Sequence, residues 1–147
     1  MMALYKRILI PTDGSMNAQA AVLRGIGLAK IMGAEVTIMS IIDIQAAVSI
    51  QQGMGMPDVY GYQQKAAEAA AEAAMRAAEE AGVRAKAIVT RGSPARDIIE
   101  TSREHDLVVM ATRGHTGARH FLLGSVAEKV VRFAHCPVMV IRTTSKS

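Results

Sequence analysis

Two turns in the sequence carry residue types that can bind a nucleotide or a phosphate. The first turn follows an apolar run, precedes a helical pattern and consists of Pro11, Thr12, Asp13, Gly14 and Ser15. A carboxylate at the position of Asp13 can accept hydrogen bonds from ribose hydroxyls, but aspartate is also common in turns because it hydrogen-bonds their backbone. The turn alone therefore leaves open whether Asp13 binds a ligand or only shapes the chain.

The second turn lies between Ala111 and Ser125 and indicates an anion site more strongly. Glycine lets a backbone approach a phosphate closely, and the first N–H groups of a helix favour negative charge. Gly114 and Gly124 lie in this turn, and Ser125 opens a helical pattern. The basic residues between them are Arg113, His115, Arg119 and His120. The combination predicts phosphate binding, although the sequence has neither a P-loop nor a dinucleotide-binding glycine fingerprint.

The elements that must position these turns alternate between strands and helices. Apolar, β-branched runs predict strands at residues 5–11, 35–43, 84–90, 106–111 and 137–141. Apolar spacing of three and four, with N-cap residues Ser15 and Ser93 and a stop at Gly33, predicts helices at residues 16–32, 65–81, 95–104 and 125–134. Residues 44–64 mix glycine, proline and methionine without a period, which predicts a loop.

This alternation predicts a single α/β domain over residues 1–147. Right-handed crossovers give a Rossmann-like, doubly wound sheet of five parallel strands with helices on both faces, in the order 3-2-1-4-5. Strands buried on both faces explain why the apolar runs are continuous. Ligands of such sheets bind outside the carboxyl ends of the strands where the winding direction reverses, which is where both turns are expected.

Composition is consistent with a cytoplasmic protein that folds without a disulfide or a structural metal. Half of the 147 residues are apolar, enough for a core without a metal or disulfide, and the single cysteine, Cys136, is predicted to be a buried thiol. No signal peptide and no membrane span are expected, since the apolar runs are too short. The net charge of +4 is concentrated beyond residue 110, where it could attract phosphate.

Other chemistries have weaker signals. No two of the four histidines are four residues apart, so a helical metal site is not expected. The chain has three tyrosines, two phenylalanines and no tryptophan, too few for a nucleic-acid stacking platform. No base lies beside a nucleophile, and no carboxylate cluster extends beyond Asp13 and Asp43, so no catalytic residue is assigned.

Two segments resemble the universal stress protein family, and the resemblance covers nearly the whole chain. The segment ATRGHTGARHFLLGSVAEKVVRFAHCPVMVI, residues 111–141, is similar to the family's C-terminal signature, and ILIPTDGS, residues 8–15, is similar to its opening strand and turn. The ATP-binding branch has the pattern Gly, two residues, Gly, nine residues, Gly, Ser/Thr. Gly114, Gly124 and Ser125 match it, whereas Ala111 replaces the first glycine, and its methyl group could crowd a ribose or phosphate.

The resemblance implies ATP as the ligand, with Mg²⁺ or Mn²⁺ bridging its phosphates. Pro11, Thr12 and Asp13 would line the adenosine pocket, and the backbone of Ile41 would contact adenine. The ribose and phosphates would be held by Gly114, Gly124, Ser125 and Val126, with Ala111 and Arg113 beside them. For Ile41, simple core packing is the alternative.

The resemblance also implies an assembly and a role. The last strand, residues 137–141, would pair with its copy in a homodimer, which would cover an otherwise exposed edge. Nucleotide binding would change a surface that other proteins read, in a stress-response or signalling module. Two alternatives stay open: a nucleotide-independent universal stress protein that acts by protein contacts, and a slow ATPase or nucleotidyl transferase.

Overall fold

The computed structural model describes residues 4–54, 59–113 and 123–142. Its strands are β1 Arg7–Pro11, β2 Glu35–Asp43, β3 Ala85–Gly92, β4 Leu107–Ala111 and β5 Val138–Ile141. Its helices are α1 Met16–Met32, α2 Ile44–Met54, α3 Val59–Ala81, α4 Pro94–Thr101 and α5 Ser125–Phe133, and a 3-10 turn, Ser102–Glu104, follows α4. No helix in these ranges is both long and apolar enough to cross a membrane.

The five strands form one parallel sheet in the order β3-β2-β1-β4-β5, which confirms the predicted fold. β1 is central, and its Ile8 lies opposite Val36 of β2 and Leu107 of β4. The winding direction therefore reverses between β1 and β4. Because all strands are parallel, their carboxyl ends meet at one edge, called here the carboxyl edge, and the opposite edge is the amino edge.

Helices cover both faces of the sheet, and alternate residues of β1 supply the two cores. Ile8 and Ile10 belong to the core under α1 and α3, whereas Leu9 belongs to the core under α4 and α5. All three side chains are 0% exposed. Burying such side chains on both faces contributes about 1.5–3 kcal/mol each relative to exposure, which is why the strand reads as a continuous apolar run.

Local signals fix α1 between its predicted limits. The Oγ of Ser15 accepts a hydrogen bond from the N–H of Ala18 at 3.1 Å, which satisfies one donor of the first turn. Gly33 ends the helix in the left-handed conformation, with φ of 66°. In between, Gly25 lies against the sheet, where an added Cβ would come within 2.5 Å of Ile10 Cδ1. A larger residue would push α1 away from β1.

The predicted loop at residues 44–64 was wrong, because α2 and the beginning of α3 occupy most of it. Asp43 Oδ1 accepts a hydrogen bond from the N–H of Ala46 at 3.1 Å and so caps α2, and Ala47 is fully buried. Gly53 lies within α2 and Gly61 within α3, so these glycines do not exclude helix, and residues 55–58 lie outside the described ranges.

Candidate functional site

The turn after β1 is held by hydrogen bonds that begin in the sheet. The N–H of Thr12 donates to Met39 O at 2.9 Å, and Thr12 Oγ1 accepts from the N–H of Gly14 at 3.2 Å. Asp13 is exposed, and its Oδ1 accepts from the N–H of Ser15 at 2.9 Å. This bond holds the carboxylate at the carboxyl edge, and a carboxylate can accept several hydrogen bonds at once. Asp13 can therefore shape the turn and bind a ligand.

The backbone of Ile41 is directed toward the space beyond β1. The pairing of β1 with β2 ends at Pro11 and Met39, and the pairing of β2 with β3 continues to Asp43. Met39 O faces β1, where it accepts from Thr12. In a strand the direction of the polar groups repeats every two residues, so the N–H and C=O of Ile41 point to the same side. There they are available to a ligand lying over the end of β1.

The loop after β4 leaves and returns at the same edge of the sheet. Ala111 pairs with Ile141 of β5, and the N–H of Thr112 donates to Ile141 O at 3.2 Å. The N–H of Gly124 then donates to Thr112 O at 2.6 Å, which joins the two ends of the loop. α5 therefore begins beside the end of β4.

Gly124 is the N-cap of α5, and the fold does not require a glycine there. Its φ of −71° and ψ of 170° are accessible to any residue. An added Cβ would lie 3.4 Å from Thr112 O and 3.5 Å from Arg113 Cα, which are ordinary contacts. Gly14 differs, because its φ of 82° is left-handed. The missing side chain at Gly124 instead leaves the first-turn N–H groups of Ser125 and Val126 open to an anion.

A cavity of about 400 Å³ lies between the ends of β2 and β3 and the starts of α4 and α5. Its polar lining includes Asp43, Ser93, Arg96, Ser125 and Lys129. At 3.2 Å, Arg96 Nε pairs with Asp97 Oδ1, and the Asp97 carboxylate lies against Gly92, where an added Cβ would displace it. Lys129 has no ion pair with any residue in the described ranges. The cavity thus offers hydroxyls and cations at the carboxyl edge.

Comparison with known proteins decides the family. The model of the universal stress protein family matches residues 4–142. The chain belongs to the universal stress protein family. A universal stress protein of Methanocaldococcus jannaschii is 37% identical over 145 residues, covering 97% of this chain and 85% of that protein. A putative universal stress protein of Staphylococcus aureus strain USA300 is 36% identical over 154 residues, covering 97% of this chain and 87% of that protein.

Solved structures share the fold of this universal stress protein. The hypothetical protein MJ0577 matches with a TM-score of 0.78 and 26% identity, over 97% of this chain and 99% of that one. A universal stress protein in complex with cAMP matches with a TM-score of 0.69 and 24% identity, over 95% and 98%. One from Archaeoglobus fulgidus in complex with dAMP matches with a TM-score of 0.69 and 20% identity, over 94% and 98%. The last two show likeness of fold alone.

Within this universal stress protein, the predicted site residues divide into two groups. Ser125 and Val126 line the cavity, whereas the others described lie at the same carboxyl edge without lining it. These others are Pro11, Thr12, Asp13, Ile41, Ala111, Arg113 and Gly124. Gly114 lies outside the described ranges. Ile41 is half-buried and packs against the core under α4 and α5, so its side chain has the packing role that was the alternative.

Sequence reasoning missed the side chains that β3 and α4 bring to the cavity. Ser93 was expected only as an N-cap. Its side chain accepts no capping hydrogen bond from α4, and Ser93 lines the cavity instead. Arg96 was not expected at the site, and Lys129 was expected only as part of the basic excess beyond residue 110 that could attract phosphate. The available signal was that the end of β3 lies at the same carboxyl edge as the ends of β1 and β4.

Two pKa shifts lie at the opposite, amino edge. The backbone N–H of Lys6 donates to Asp106 Oδ2 at 2.8 Å and, despite some burial, lowers the pKa of Asp106, with further help from the N–H of Arg7. Partial burial raises the pKa of Cys136, and the negative charge of Asp106 raises it further. Cys136 is half-buried rather than fully buried as expected. The Asp106 shift belongs to the joining of β1 and β4, and Cys136 precedes β5, so neither shift lies at the candidate site.

Proposed function

We propose that this universal stress protein binds ATP or a related adenine nucleotide at the carboxyl edge and acts as a nucleotide-dependent signalling module. The observation that carries the proposal is the start of α5, where Gly124 leaves first-turn N–H groups open at the same carboxyl edge that carries the exposed Asp13. The same fold holds cAMP in one solved relative and dAMP in another. Adenine nucleotides are therefore compatible with this architecture.

In the proposed complex, the two turns bind opposite ends of the nucleotide. Pro11, Thr12 and Asp13 contact the adenosine, with the Asp13 carboxylate accepting from ribose hydroxyls. The N–H and C=O of Ile41, which point beyond the end of β1, can pair with the adenine edge. Gly124, Ser125 and Val126 hold phosphate through N–H groups and the Ser125 hydroxyl. Arg113 and Gly114 border the phosphates in this proposal.

Ala111 is compatible with the proposed site, although the family's ATP-binding pattern has glycine there. Ala111 is 8% exposed and pairs regularly with Ile141 in the sheet. Of the residues that the structure describes, only glycines have positive φ. The position therefore does not use the conformational freedom of glycine, and alanine adds only one methyl group.

A divalent cation would take its ligands mainly from the nucleotide. The described ranges contain no group of three or more His, Cys, Asp or Glu residues suited to a metal. Mg²⁺ commonly keeps several waters and binds through one or two carboxylates plus phosphate oxygens. Asp43, on the cavity wall, is one carboxylate in reach of that arrangement. The residues thus fit Mg²⁺ or Mn²⁺ carried by the phosphates.

A homodimer through β5 completes the proposal. β5 is an edge strand of the sheet, and nearby apolar side chains are exposed: Met139 at 40%, Val131 at 46% and Phe133 at 57%. Unpaired apolar edges are prone to association, so pairing with a second copy would satisfy this edge. A twofold axis would make the pairing antiparallel and self-complementary.

The direct test is to identify the nucleotide that the protein carries. Purified protein is denatured, any released nucleotide is identified by chromatography, and stripped protein is titrated with ATP, ADP and AMP in magnesium. Binding in the parent protein that is lost in Gly124→Asp would support the proposal. Absence of binding in the parent, restored by Ala111→Gly, would assign the protein to nucleotide-independent action through protein contacts.

A further inference from the structure

The cavity beside α5 carries chemistry that the nucleotide motif does not use. Besides Ser125 and Val126, its lining contains the Ser93 hydroxyl, the Arg96 guanidinium and the Lys129 ammonium. Its volume of about 400 Å³ lies within the range of small-molecule sites. Because Ser125 belongs both to the motif and to the cavity wall, a ligand held at the motif has a direct route into the cavity.

Lys129 is the group best placed to hold an anion there. It follows Ser125 by four residues on α5, so the two side chains lie on one face of the helix. It is exposed and has no ion pair within the described part of the chain. The neighbouring ion pair of α5 joins Arg132 to Glu128, which leaves the ammonium of Lys129 uncommitted. Its three N–H donors can therefore turn to a ligand.

Arg96 faces the same cavity from α4. Its ion pair with Asp97 is between sequence neighbours, and the Arg96 side chain is 70% exposed. Such surface pairs contribute little free energy, and a guanidinium has five donors, so Arg96 can also bind a second anion. Asp43 is the opposing carboxylate of the described lining, and its Oδ1 accepts from the Ala46 N–H. The lining thus holds two cations and one carboxylate, and the Asp97 carboxylate that pairs with Arg96 lies against the lining residue Gly92.

We propose that this cavity binds the outer phosphates of a nucleoside diphosphate or triphosphate, with Lys129 and Arg96 selecting polyphosphates over monophosphates. The inference rests on the proposed nucleotide function and specifies its ligand. With the first phosphate at Ser125, the next phosphates extend toward Lys129 and Arg96, whereas AMP ends at Ser125. Charge-assisted hydrogen bonds to phosphate are the stronger ones, and they are formed only with the longer ligands.

The test is a titration of stripped protein with ATP, ADP and AMP by calorimetry in magnesium. Lys129→Ala should weaken ATP binding about 10-fold, as expected for one charge-assisted contact, while AMP binding changes less than about 2-fold. Arg96→Ala should act in the same direction, and Lys129→Arg should restore most of the preference. The control is Lys86→Ala, which removes an exposed lysine at the amino edge. All three of the replaced side chains are exposed, and circular dichroism checks that the four variants fold.

The outcomes separate this inference from the function on which it rests. Preferential loss of ATP binding in Lys129→Ala, absent in Lys86→Ala, supports the inference. Parent protein that binds nucleotides while Lys129→Ala and Arg96→Ala leave the ratio of ATP to AMP affinity unchanged would overturn it and leave the proposed function intact. Parent protein that binds none of the three nucleotides would overturn both.

Discussion

Replacing Gly124 by aspartate or by asparagine separates the stability of α5 from phosphate binding. Gly124 is an N-cap with extended backbone, and a Cβ there makes only ordinary contacts. Aspartate and asparagine are better N-caps than glycine by a few tenths of a kcal/mol. Both variants are therefore expected to unfold at or above the parent's denaturant midpoint, so that loss of binding cannot be attributed to loss of folding.

The two variants differ in charge and hardly in shape, and this difference sets the expected result. A carboxylate about 5 Å from a bound phosphate is repelled by about 3 kcal/mol per unit charge at an effective dielectric constant of about 20. This energy corresponds to roughly 100-fold weaker binding. The asparagine variant loses only the N–H groups that its own side chain caps, so its affinity falls less.

Calorimetric titration with ATP measures both affinities, and urea unfolding measures both stabilities. We expect ATP affinity to fall in the order parent, Gly124→Asn, Gly124→Asp, with stability unchanged or raised. Equal affinities in the aspartate and asparagine variants would mean that no phosphate lies at the start of α5. A drop in stability for both would instead mean that Gly124 has a folding role that its backbone and contacts do not reveal.

Three further predictions concern the turn, the amino edge and the dimer. Gly14→Ala should lower the free energy of unfolding in urea by about 1–2 kcal/mol, because φ is left-handed at 82° and the new Cβ would lie 3.2 Å from Ala70 Cβ; an unchanged midpoint would contradict this. Since the folded pKa of Asp106 is below its ordinary value of 3.8, its stabilising contribution is present above that pH and is lost as pH falls toward the folded pKa. When the free energy of unfolding is measured against pH, the Asp106→Asn variant should lack this loss of stability in acid. In β5 the polar backbone groups of Pro137 and Ile141 face β4, so the N–H of Met139 faces β4 and the N–H of Val140 faces outward. Val140→Pro, which removes the outward-facing N–H, should dissociate the proposed dimer in sedimentation experiments. Met139→Pro should instead weaken the pairing of β5 with β4.

The fold was predictable because its signals are local. α1 and β2 have the limits that the sequence predicts, since Ser15 and Gly33 specify the ends of the helix through their own hydrogen bond and backbone conformation. α2 was missed because its cap, Asp43, also ends the preceding strand, and because Gly53 suggested a loop although it lies within the helix. A residue that both ends a strand and caps the next helix gives an ambiguous signal in the sequence.

The candidate site was only partly predictable, because the cavity depends on which strands are neighbours. Ser125 was found through a short motif, and Val126 through the family resemblance. Asp43 and Arg96 come from distant parts of the chain and meet Ser125 and Lys129 only because the sheet brings the ends of β2 and β3 close to α5. No spacing in the sequence encodes that meeting, although the four-residue spacing of Ser125 and Lys129 on α5 does place those two together. Once the strand order is known, every turn at the carboxyl edge has to be considered, including the turn after β3.

Different glycines of this protein are explained by different physical causes, and comparing them supports the proposed phosphate site. Gly14 is explained by its backbone conformation, and Gly25 by its contact with Ile10. Gly27 and Gly124 are explained by neither, so an unneeded glycine alone does not identify a site. Gly27 lies within α1, where an added Cβ would have no neighbour within 4 Å. At Gly124, however, the missing side chain coincides with first-turn N–H groups that no described side chain caps, with a cavity lined by the next two residues, Ser125 and Val126, and with the switch in winding between β1 and β4. Phosphate binding is the explanation that uses all of these features together.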